Sequence, residues 1–172
     1  MKQIRTVLLI TFLLTFTSCD LFNLDQEPTL PEITQEGAGT FGCLIDGELF
    51  LHSGPDPTGG MRGNPHATYT EISGSLIVQS QNSSNWRIAL ALEPFFKQGQ
   101  INFIETSVLR DLTLSNCASF YLDTSNTSIN ISLLDIENDI ISGTFSGNYL
   151  NECDSTNVVE ITQGRFDLVY TL

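Results

Sequence analysis

From Phe41 onward, apolar side chains recur at every second position and not at the three-to-four spacing of a helix. Phe41, Cys43 and Ile45 alternate with small or polar neighbours. Asp46-Gly47 supplies the positive-φ pair of a tight hairpin, and Leu49 and Leu51 return on one face. Trp86, Ile88, Leu90 and Leu92 alternate with Arg87, Ala89, Ala91 and Glu93, the cleanest half-buried strand of the chain. Runs at 67–72, 75–80, 101–105 and 117–123 predict further strands, and clusters of Gly, Pro, Asn and Ser at 53–65 and 82–85 predict turns. A polar turn at 124–128 leads to Ile129, Ile131 and Leu133 on one face. Asn138-Asp139 then turns the chain toward Ile141, Phe145 and Tyr149. Residues 106–116 carry no readable period.

The last strand contains a phase change. Val159 and Ile161 are odd-numbered, whereas Phe166, Leu168 and Tyr170 are even. A regular strand flips face at each residue, so both sets are buried only if one irregular residue intervenes. Gly164 is the expected bulge or turn. Nine or ten short strands predict an all-β fold, an antiparallel β-sandwich or flattened barrel, over residues 40–172.

The region before residue 40 has a different pattern. Lys2 and Arg5 precede an apolar run at 7–16, the layout of a secretory signal peptide and too short to span a bilayer. Phe16-Thr17-Ser18-Cys19 follows and resembles a bacterial lipobox. That resemblance implies a signal peptide over 1–18 and lipidation of Cys19, with a diacylglycerol thioether and an N-acyl chain such as palmitate. More than one chain makes such an anchor stable. Residues 19–39 hold the acids Asp20, Asp25, Glu27, Glu32 and Glu36 with Pro28 and Pro31 and show no period. They are expected to form an extended acidic tether, dispensable for folding of the 40–172 domain.

Charge narrows the partners. The whole chain has 7 basic and 20 acidic residues, −13; without Lys2 and Arg5 it has 5 against 20, −15. Nucleic acid needs a clustered basic surface and is not an expected partner. The expected contact is with the membrane, through the lipid on Cys19.

Of the cysteines beyond Cys19, Cys43 alternates into the core, which leaves Cys117 and Cys153 as the expected disulfide of an exported protein. A cysteine nucleophile would need His52 or His66 as base. Those histidines flank Asp56 in a Gly-rich loop, chemically adequate for zinc but with no metal-motif spacing. Asp135, Glu137 and Asp139 alternate at a strand end, which reads as a surface acidic cluster and not a calcium loop. Twenty acids make paired carboxylates uninformative, and no catalytic motif occurs. Trp86, Tyr69, Tyr121 and Tyr149 suit a core better than a sugar platform. No metal, cofactor or catalytic residue is expected.

The segments TFGCLIDGELF (40–50), IISGTF (140–145) and EITQGRFDLVY (160–170) resemble the opening and closing signatures of small envelope lipoproteins from Bacteroidota-type bacteria. Their function is unknown. The resemblance implies an all-β domain lipid-anchored in the cell envelope, in the outer membrane, and supplies no catalytic residue. The expected function is a non-catalytic binding or assembly module. The alternatives are a calycin-like barrel carrying a small apolar ligand and a hydrolase.

Overall fold

The computed structural model describes residues 28–52, 65–70, 75–81, 86–93, 99–100, 102–103 and 107–171. Every regular element among them is a strand: β1 (Thr40–Ile45), β2 (Glu48–Leu51), β3 (His66–Thr70), β4 (Ser75–Gln81), β5 (Trp86–Glu93), β6 (Gly99–Gln100), β7 (Asn102–Phe103), β8 (Val108–Asp111), β9 (Ser119–Asp135), β10 (Ile140–Asn151) and β11 (Val158–Thr171). They form one sheet whose main path runs β10-β9-β8-β5-β4-β3-β11-β1-β2. A further pairing of β10 with β11 closes it into a ring that is not a regular barrel. The pairing is antiparallel except between β11 and β3, where Tyr170 and Thr171 run parallel to Ala67 and Thr68. β11 therefore shares one edge between two partners: β1 along Ile161–Asp167 and β3 at its end.

One apolar cluster fills the inner face. It includes Leu76, Val78, Ile88, Leu90, Leu92 and Leu109 from β4, β5 and β8, and Ile129, Ile141, Tyr149, Ile161, Phe166 and Leu168 from the long strands. The Asp46-Gly47 hairpin forms as expected, with φ of 49° and 82°. Asp46 also ties that turn to β11: its N–H donates to the Glu160 carbonyl and its Oδ1 accepts the Glu160 N–H, both at 2.8 Å.

The phase change in β11 is real and lies one residue earlier than expected. Phe145 pairs with Gly164, but Gly147 pairs with Ile161, so Thr162 and Gln163 together oppose Ser146. The β1 ladder shifts at the same place, between Gly42↔Arg165 and Leu44↔Thr162. The left-handed residue is Gln163, at φ 52°. Gly164 meets a different demand. A Cβ there would lie 2.6 Å from the Phe145 carbonyl oxygen and 2.7 Å from its ring. Glycine is needed for that close approach, so glutamine takes the left-handed position at a cost of about 1–2 kcal/mol.

Three other readings change. Residues 117–135 were expected as two strands around a turn, but β9 continues from Ser119 to Asp135. The polar residues after Asp123 are a bulge: Gly147 pairs with Thr127 and Tyr149 with Leu122, leaving three extra residues on β9. Asp123 Oδ1 accepts the Ser125 N–H and hydroxyl, which closes the bulge locally. A second irregularity at Ser132 takes Leu133 off the face of Ile129 and Ile131, and Leu134 packs against the core instead. Asp135, Glu137 and Asp139 do not share a strand face. Asp135 ends β9 and caps the turn by accepting the N–H groups of Glu137 and Asn138. The unreadable 106–116 stretch contains β8, four residues long.

Candidate functional site

The outer face of β10 and β11 is where the bulge, the N-terminal segment and a groove meet. Residues 28–39 form no strand, in keeping with the absence of period. They are nonetheless held to the domain as a strap, because Asp167 collects them. Asp167 sits between Phe166 and Leu168, which face the core, so its side chain points to the opposite side of the sheet. There it is only 1% exposed. Its carboxylate accepts from the Thr34 hydroxyl (2.7 Å), from the backbone N–H groups of Glu36 (3.0 Å), Gly37 (2.9 Å) and Ala38 (3.1 Å), and from the Ser142 hydroxyl across the β10 ladder (2.6 Å). Burial alone raises a carboxyl's pKa. Here the hydrogen bonds from Ser142, Thr34 and the strap backbone outweigh it and hold Asp167 at about 2. Upstream, Arg165 donates from its NH1 to the Pro31 carbonyl at 3.1 Å.

Beside this latch lies an open groove of about 280 Å³, lined by Ile33 of the strap, Ser128 of β9, Thr144 and Ser146 of β10, and Gln163 and Arg165 of β11. The bulge aims Gln163 outward while Gly164 keeps Phe145 close beneath. The lining offers three hydroxyls, a side-chain amide and a guanidinium beside one exposed aliphatic chain. Such a surface recognises polar groups; it contains no nucleophile–base pair.

The sequence-derived residues distribute as follows. Cys117 and Cys153 form a disulfide, with Cα atoms 5.5 Å apart. Asn151 braces it by donating to the Cys117 carbonyl and accepting the Cys153 N–H. Cys43 is a buried free thiol, and burial pushes its pKa up, opposite to what a nucleophile needs. Of the four aromatics expected in the core, Tyr149 is fully buried, and Tyr69 and Trp86 pack against the core, Trp86 edge-on to Phe120 at 5.9 Å; Tyr121 departs from that expectation and stands on the outer face. Among the described residues no three His, Cys, Asp or Glu side chains group as metal ligands. Cys19 and Asp56 lie outside the described residues. The Asp167 latch leaves no local signal in the sequence, because its strap partners are 129 to 133 positions away and Ser142 is 25 away on another strand.

No family model, curated protein or solved structure matches this chain.

Proposed function

We propose that the chain is a non-catalytic cell-envelope lipoprotein, anchored through acyl chains on Cys19, whose ring-shaped β domain is a binding or assembly module. One observation supports the non-catalytic part: the carboxylates of Asp123, Asp135, Asp154 and Asp167 spend their oxygens on hydrogen bonds that hold their own turns or the strap. The pKa of Asp123 is lowered by Ser125 and Asn126, that of Asp135 by Asn138, that of Asp154 by Thr156, and that of Asp167 by Ser142 and the strap. A general acid of the hydrolase alternative needs the opposite displacement. The apolar-ligand alternative has less support than the module: Phe41 packs against Phe145 at 5.3 Å and Phe50 at 6.0 Å, and Phe145 against Phe166 at 6.3 Å, filling space that a carried ligand would need.

The anchor is tested by mass spectrometry of the mature N-terminus and by Cys19→Ser. The wild type is expected to carry acyl chains and partition with membranes; the variant is expected as an uncleaved or soluble species. A mature wild-type protein without lipid sinks the lipoprotein reading.

A further inference from the structure

Across the ring from the strap, the outer face of β5, β8 and β9 carries an arrangement unusual for so acidic a chain. Arg87 on β5 and Arg110 on β8 are directly opposite in the ladder, and both are exposed. Like charges in that position repel, so the pair is no aid to the sheet. Arg87 is steadied by Gln81, whose Oε1 accepts from its Nε and NH2. Arg110 has no hydrogen-bond or ionic partner among the described residues. The nearby acids are otherwise engaged: Asp111 Oδ1 accepts the Thr113 N–H and hydroxyl, and Glu152 Oε1 accepts the Ser119 N–H.

The next outward row on the same face is apolar. Ala89 pairs with Val108, Val108 with Tyr121, Tyr121 with Leu150 and Leu150 with Val158. Tyr121 is 47% and Val158 42% exposed. Residues two apart on a strand are about 6.6–6.8 Å apart, which is the spacing between the arginine row and this one.

We infer that this face docks an extended polypeptide segment of a partner that presents a carboxylate side chain two positions from an aliphatic or aromatic one. The carboxylate meets the Arg87–Arg110 pair and the apolar side chain meets Val108 and Tyr121. Charge complementarity identifies the partner's chemistry: two exposed guanidiniums side by side, one held only by a neutral amide and the other without a partner among the described residues, attract an anion even on a chain of net charge −13, and guanidiniums bind carboxylates through parallel N–H donors. The adjoining apolar row asks for a side chain at a fixed offset, which a free inorganic anion lacks. The inference deepens the reading of the domain as a binding module and is independent of the lipid on Cys19.

The probes are three blocked peptides containing Glu-Ser-Phe, Gln-Ser-Phe or Glu-Phe-Ser, titrated into the mature protein and followed by backbone amide NMR shifts. The Glu-Ser-Phe peptide is expected to shift β5, β8 and β9 amides, and the other two to bind at least 5-fold more weakly. Arg87→Gln with Arg110→Gln is expected to weaken binding at least 10-fold, and Tyr121→Ser at least 3-fold. The arginine variant is expected to keep or raise the urea midpoint, which separates lost docking from lost folding. Equal binding of all three peptides, retained binding in the arginine variant, shifts confined to the strap groove, or no binding at millimolar peptide would overturn the inference. A lipid-free mature protein that still binds Glu-Ser-Phe would overturn the anchor alone.

Discussion

The sheet is treated differently on two stretches of its outer face. Over β1, β10 and β11 the chain covers itself: the strap lies across the ladder, and the buried Asp167 is satisfied by five donors. Over β5, β8 and β9 a row of half-exposed apolar side chains and a repelling arginine pair face solvent. In the first stretch, polar atoms serve the fold and their removal should cost stability. In the second the arginine pair adds to the fold only the exposed bonds from Arg87 to Gln81, and its removal should cost little. That asymmetry separates structural residues from those kept for something outside the chain.

The sharpest break comes on the covered side, at Gly164→Val. The added side chain meets the Phe145 carbonyl oxygen as well as its ring, so the bulged strand must move. A loss of about 3 kcal/mol in urea melts is expected, with Gly164→Ala smaller in the same direction. An unchanged midpoint would mean that the close approach is absent.

Asp167→Ala should follow, at about 2–3 kcal/mol, because the Ser142 hydroxyl is left buried without its acceptor while the strap N–H groups turn to water. Limited proteolysis should then cut within 30–38 before the domain. The same group sets an acid dependence. Its folded pKa, about 2, lies below the unfolded value of 3.8, so its contribution is present above about pH 4 and lost as pH falls toward 2. About 1–2 kcal/mol should disappear over that window in the wild type and not in Asp167→Asn. Equal acid profiles for the two proteins would detach the strap from Asp167.

How much of this was legible depended on whether the signal was local. Alternation marked β1, β2, β4, β5 and β10, because each buries one face and repeats every two residues. The 159–170 phase change announced the bulge, although which residue takes the left-handed angle was decided by the Phe145 ring on a neighbouring strand. The 124–128 polar cluster has turn composition, yet hydrogen bonds from Asp123 close it inside a continuing strand. β8 is four residues long, too short for a period to show. The strap and the arginine pair were illegible because both are long-range: Thr34 reaches Asp167 only where the strap lies over β11, and Arg87 meets Arg110 only through the β5–β8 register.

The smallest effect tests the bare side. Arg110→Gln should raise stability by about 0.2–0.5 kcal/mol by relieving the apposition with Arg87. A loss above about 1 kcal/mol would show that Arg110 belongs to the fold and would erase the contrast between the two stretches.

The forked edge of β11 also sets an order of events. Thr40 pairs with Asp167, and Ala67 with Tyr170, so the first and third strands wait for the last residues of the chain. Contacts so distant in sequence form late and slowly. Until those residues are in place, β1 has only its hairpin partner β2, and β3 only β4. The ring, and with it the strap on Asp167, closes only when β11 is added.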